Sequence, residues 1–132
     1  MPVIRDESRH PLVIETHSGA GTLDEVNDER AFLERLFAER KPVAFIFDLR
    51  NAEPPPMNVL LQTTKLSRDT RDHERAYCAG RAFVVENSLM RAVLMGAFML
   101  EQPPAPVKVF TDMAAAEAWA LDRLAERGAQ RA

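Results

Sequence analysis

Ala82-Phe83-Val84-Val85-Glu86-Asn87-Ser88 is a short apolar strand that turns into a helix-length run, Leu89 to Leu100, in which Arg91 is the one charged residue. A helix with so little polar surface is apolar on more sides than one core contact covers, so it is either sandwiched or sticky. Two stripes can be drawn on it. Met90, Val93, Leu94, Ala97 and Phe98 form the first, and Ala92, Met95, Gly96 and Met99 form the second. If the first faces a sheet, the second faces outward or lies under another element. Flexible thioethers on an open face suit a protein partner or an apolar ligand. Ala92, Met95 and Met99 are therefore the candidate interface residues, with coverage by neighbouring helices as the competing reading.

Working outward from this stretch, the chain alternates apolar strands with helical periods. Leu12, Ile14 and Thr16 alternate with Val13, Glu15 and His17 at strand period, with one face more polar than the other. Val3-Ile4 precedes them as a hairpin partner across a turn at Glu7-Ser8-Arg9, and Gly19-Ala20-Gly21 breaks the strand. Thr22-Leu23-Asp24-Glu25 reads as a capping box, predicting a helix from Leu23 to Arg40 with Val26, Leu33, Leu36 and Phe37 on its apolar stripe. Val43-Ala44-Phe45-Ile46-Phe47 is apolar on both faces, as in a central strand covered by helices.

Pro54-Pro55-Pro56 forces a loop, and a second helix starts at Met57. Leu60, Leu61 and Tyr77 are its clearest apolar positions, and the charged middle from Lys65 to Arg75 is expected to face solvent. After the apolar helix, Pro103-Pro104-Ala105-Pro106 leads to a last strand, Val107-Lys108-Val109-Phe110. Thr111 or Asp112 caps a last helix that carries Met113, Ala116, Ala120 and Leu124 beside Trp119 and closes at Gly128. The order is β(β)αβαβαβα. Helical crossovers between strands require a largely parallel sheet with right-handed connections.

Composition excludes several classes. The chain has 132 residues, 46% hydrophobic and 28% charged, which is the make-up of an ordinary folded domain, and no linker or repeat divides residues 1–132. Its 17 basic and 20 acidic residues are interleaved, so no basic face for nucleic acid is legible. The N-terminal residues lack a signal-peptide profile, and the longest apolar run, Ala92 to Leu100, falls well short of the ~20 residues of a membrane span. The expectation is a cytoplasmic chain that is neither exported nor inserted. A lone Cys78 rules out an intramolecular disulfide.

No catalytic constellation stands out. Ser88 sits between a strand and a helix but lacks both glycines of a nucleophile elbow, so it reads as a helix cap. His10, His17 and His73 are scattered without ligand spacing, and Cys78 reads as a small apolar filler. Asp48 and Arg50 form a candidate polar pair at the end of the central strand, either a structural ion pair or a group at the ligand-binding edge of a parallel sheet. No metal, cofactor or catalytic residue is expected.

Three phrases in this order resemble a known group: Phe47-Asp48-Leu49-Arg50-Asn51-Ala52, Ala82-Phe83-Val84-Val85-Glu86-Asn87-Ser88, and Val109-Phe110-Thr111-Asp112 with Ala116 and Trp119. The chain resembles, over residues 10 to 127, small bacterial STAS-like or SEC14-like proteins, similar in fold to the sporulation anti-sigma-factor antagonist. The resemblance implies an α/β fold with a mixed four- or five-stranded sheet and helices mainly on one side. The antagonists carry Asp-Ser-Ser/Thr-Gly at their phosphorylation switch. Here the stretch is Glu53-Pro54-Pro55-Pro56-Met57-Asn58, without a hydroxyl, and Thr63 and Thr64 are the nearest candidates.

The expected function is a non-enzymatic regulatory binding module acting through protein contact, self-association included. The alternative is a SEC14-like carrier of a small apolar ligand or lipid. A chain of this size leaves little room for a cavity of the usual ~300–1,000 Å³, which favours surface recognition.

Overall fold

The computed structural model describes residues 3–131, with side chains through residue 128. Five strands form one sheet in sequence order: β1 (Ile4–Asp6), β2 (Leu12–Gly19), β3 (Val43–Ala52), β4 (Cys78–Val84) and β5 (Val107–Phe110). β1 runs antiparallel to β2 and the other neighbours are parallel. The helices are α1 (Leu23–Phe37), α2 (Met57–Asp69), α3 (Arg71–Tyr77), α4 (Ser88–Leu100) and α5 (Met113–Arg131). All four strand stretches expected from sequence lie in this sheet, which is mixed, with helices mainly on one side.

Strand alternation sorts the sheet into two cores. Val13, Phe45, Phe47, Phe83 and Val85 project toward α1, α2 and α4, where Phe32, Leu36, Leu66 and Met90 meet them. Leu12, Ala44, Ile46, Ala82 and Val84 project the other way, against Ala116 and Ala120 of α5. Small residues on both sides of that second contact let α5 lie close to the sheet. Gly80 completes the fit: a Cβ there would stand 2.9 Å from Arg123 Cγ and 3.0 Å from the Trp119 ring.

The boundaries differ from expectation for local reasons. α1 ends at Phe37 rather than Arg40, because the chain turns there with Arg40 in the left-handed region at φ 57° before Pro42. Pairing with β4 stops at Asp48, and pairing with β2 alone carries β3 on to Ala52, matching Ser18 with Asn51 and Gly19 with Ala52. The single second helix is two. They break at Thr70, whose hydroxyl donates to the Leu66 carbonyl at 2.9 Å. The stretch from Lys65 to Arg75 is not a solvent face: Leu66, Thr70 and Glu74, four residues apart, all turn inward, whereas Leu61 is exposed. Asn87 rather than Ser88 caps α4, its side-chain oxygen accepting from the N–H groups of Leu89 and Met90. Asp112 caps α5, and α5 runs on past Gly128.

Candidate functional site

Between the sheet and the helices α1, α2 and α4 lies a cavity of about 240 Å³. Its roof is the inner stripe of α4, with Met90, Val93, Leu94 and Ala97 facing in. Phe47 and Phe83 form its floor, and Val59 and Leu66 of α2 close one side. The rim is made by Gly19 to Thr22 after β2 and by Ala52, Glu53 and Pro55 after β3, so it lies at the carboxyl ends of parallel strands. Ligands of open parallel sheets bind at this edge. A second space of about 110 Å³ adjoins it, sharing Leu60, Thr63, Arg81 and Leu94 as walls.

Beside the cavity, the inward face of the sheet carries charge where the strand pattern would put an apolar side chain. Glu15 follows Val13 on the inward face of β2 and is fully buried. It accepts from Arg5 Nε of β1 at 3.2 Å and lies 3.0 Å from His17 Nε2, while Arg5 Nη2 donates to Glu29 of α1 at 2.6 Å. The Arg5 guanidinium also lies over the Phe32 ring, 4.2 Å from its centroid.

Glu15 and Glu29 are hydrogen-bonded carboxyls in one dry site, so they split one proton. Burial, joined by the charge of Glu15, pushes Glu29 up to about 8. Burial works the same way on Glu15, but hydrogen bonds from His17 and Glu29 and the charges of His17 and Arg5 outweigh it and hold Glu15 below the usual range. At neutral pH Glu29 is the protonated partner.

Arg81 of β4 is the other charged group. Its guanidinium lies 5.1 Å above the Phe47 ring centroid and 5.8 Å from that of Phe83. One nitrogen, Nη1, reaches the buried Glu74 carboxylate at 3.4 Å. Nε is buried without a partner. The side chain keeps 17% of its surface accessible, and it lines both the main cavity and the adjoining space.

The residues singled out from sequence lie elsewhere. Asp48 and Arg50 make a two-pronged pair, with Arg50 Nε donating to Oδ1 at 2.9 Å and Nη2 to Oδ2 at 2.8 Å, away from the cavity wall. These bonds hold the Asp48 carboxyl below its ordinary range. Ala92, Met95 and Met99 are exposed on the side of α4 opposite the cavity.

The candidates set aside for catalysis also have ordinary surroundings. Cys78 is buried, and burial pushes its thiol up to about 12. The His73 ring stacks on Phe37 and His10 lies 3.7 Å from Glu39. Among the described residues no three metal-ligating side chains gather, and no helix is long and apolar enough to cross a membrane.

Sequence reasoning missed Glu15, Glu29 and Arg81. The signal for two of them was present: Glu15 shares strand parity with Val13, and Arg81 shares it with Phe83 and Val85. Glu29 becomes visible only when α1 is laid over β2.

No family model and no curated protein matches the sequence. Six solved chains match in shape, among them the following two. The first is an uncharacterised protein of the DUF3478 family with a SpoIIAA-like fold, from Shewanella loihica. It superposes at a TM-score of 0.68 with 16% identity, covering 89% of this chain and 91% of that one. The fold is SpoIIAA-like. The second, an anti-sigma factor antagonist from Mycobacterium paratuberculosis, superposes at 0.55 with 12% identity, over 91% of this chain and 93% of that one. Both likenesses concern the backbone: the STAS-like scaffold expected from the three sequence phrases is the one found, and at these identities it specifies no activity.

Proposed function

We propose that this SpoIIAA-like protein is a non-enzymatic regulatory module that works by protein contact through the outer face of α4, and that its first partner is a second copy of itself. The observation that carries this is the exposure of an uncharged stripe on a helix otherwise committed to the core. Met95 keeps 39% of its surface accessible and Met99 88%, with Leu100 exposed beside them. Between them Ala92 and Gly96 are small, and among the described residues nothing beyond the adjoining backbone of its own helix lies within 4 Å of where a Gly96 Cβ would stand. A glycine inside a helix costs roughly 0.5–1 kcal/mol relative to alanine, and packing within the chain does not account for it. A face with small residues flanked by methionines is self-complementary across a two-fold axis, Met95 and Met99 of each copy lying over Ala92 and Gly96 of the other.

Sedimentation velocity over a wide concentration range tests the reading. The wild type should associate reversibly. Met95→Lys with Met99→Lys should stay folded by circular dichroism and sediment as a monomer, since each contact would then bury strongly hydrated charges. A wild type that is monomeric throughout refutes it. The cavity under the same helix favours a second reading, a small apolar ligand held inside.

A further inference from the structure

The cavity has a polar anchor that the chain's own packing leaves unused. Arg81 stacks its guanidinium on Phe47 and offers Glu74 one nitrogen at a long 3.4 Å, while Nε, turned away from water, has no acceptor. A buried donor without a partner is costly, and native interiors rarely leave one. Around it the walls are hydrocarbon: Phe83 below, Leu94 and Ala97 above, Leu60 beside. An oxygen acceptor on an apolar body fits both features at once.

We infer that the cavity binds a small alkyl carboxylic acid, with its carboxylate on the free edge of Arg81 and its chain under the inner stripe of α4. This rests on the reading of the cavity as a ligand site and names the ligand class. A carboxylate suits a guanidinium better than an alcohol does, because an ionised acceptor makes a charge-assisted bond where a hydroxyl makes a weaker neutral one. The nearby carboxyls do not exclude it. Glu74 occupies the Nη1 side, and the proton that Glu29 shares with Glu15 removes one of that pair's two negative charges. The volume sets the size: about 240 Å³ with about 110 Å³ adjoining suits a medium-length chain and excludes a two-chain lipid. Entry is through the rim at Gly19 to Thr22 and Pro55, where the space meets the surface.

The test is calorimetric titration of the full chain with octanoate and, separately, with 1-octanol, followed on carboxyl-labelled octanoate by carbon NMR. The wild type should bind octanoate saturably at one site, roughly tenfold or more tighter than octanol. Arg81→Met alone would leave Glu74 buried and uncompensated, so it is made together with Glu74→Gln. The double variant should lose the preference for the acid while keeping octanol binding. Ala97→Phe, which fills the shared wall, should lose both ligands. Equal binding of octanoate and octanol by the wild type would overturn the acid class and leave the ligand site standing. Absence of saturable binding for either would overturn the site itself. Undiminished preference for octanoate in the double variant would remove Arg81 as the anchor.

Discussion

Glu29→Gln isolates the proton that the buried carboxyl pair holds. Glu29 keeps its proton in the folded chain up to about 8, against an ordinary value of 4.5. Between those values the folded state binds one more proton than the unfolded state, so stability falls as pH rises, by up to about 1.4 kcal/mol per pH unit. The contribution is fully present below the ordinary value and is lost by the time pH passes the folded one. Glu15 and Asp48 are shifted the other way, and their contributions are lost only as pH drops below the ordinary carboxylate range, outside this window. Arg5 and Glu15 face Glu29, with His17 bonded in turn to Glu15, and their relaxation reduces the full slope. From about pH 5 to about pH 8 the wild type should lose on the order of 2–4 kcal/mol relative to the variant, a large part of the 5–15 kcal/mol that typically holds a domain together. Glutamine keeps the shape and the donor to Glu15 and has nothing to titrate. The assay is urea unfolding of both proteins at matched ionic strength at several pH values. Parallel stability profiles for the two proteins would refute the shared-proton account.

Three further outcomes follow from packing. Gly80→Ala places a methyl 2.9 Å from Arg123 Cγ and 3.0 Å from Trp119, so urea unfolding should show a loss of about 1–3 kcal/mol as α5 is pushed off the sheet. Asn87→Ala removes the acceptor for two N–H groups at the start of α4 and should cost about 0.5–2 kcal/mol by the same measurement, whereas Ser88→Ala should cost far less. Cys78, buried with its thiol pushed up to about 12, should resist a thiol reagent at mildly alkaline pH until denaturant is added; rapid labelling of the folded chain would contradict its placement.

The parts of this molecule legible in sequence are those where one period dominates. Phe45 and Ile46 are both apolar because α1 and α5 cover opposite faces of β3, and such a run reads as a central strand without help. The inner stripe of α4 was drawn correctly from a 3.6-residue repeat, with Met90 buried at its head. Charge is harder to read where its partner comes from a distant element. Glu74 sits in a stretch dense with Arg and Asp and looks solvated, yet it is 2% exposed because Arg81 meets it from β4. Glu15 looks like the polar side of a half-exposed strand, but Arg5 and Glu29 close over it from elements on either side in the chain. Chain size argues against a cavity of the usual ~300–1,000 Å³, and the space present is smaller, about 240 Å³. A sheet whose inward face carries Arg and Glu cannot be packed flush by a helix of Ala, Val, Leu and Met, and the unfilled space is where those two surfaces fail to match.

The loop after β3 shows how the same scaffold is used differently here. In the antagonists that the sequence resembles, this edge presents a phosphorylatable hydroxyl. Here Pro54, Pro55 and Pro56 carry the chain from Ala52 to Met57 without one, and Glu53 and Pro55 stand on the cavity rim instead. Proline fixes φ and adds no donor, so the loop is a stiff wall beside the opening rather than a recognition strand. The nearest hydroxyls lie further on, in α2. Thr63 and Thr64 donate to the Val59 and Leu60 carbonyls at 2.9 and 3.0 Å, back-bonds that anchor them to their own helix. Thr63 is exposed and stands at the cavity wall. The residues at this edge therefore enclose space, and the exposed stripe of Ala92, Met95 and Met99 lies on α4, whose opposite face forms the roof of that same space.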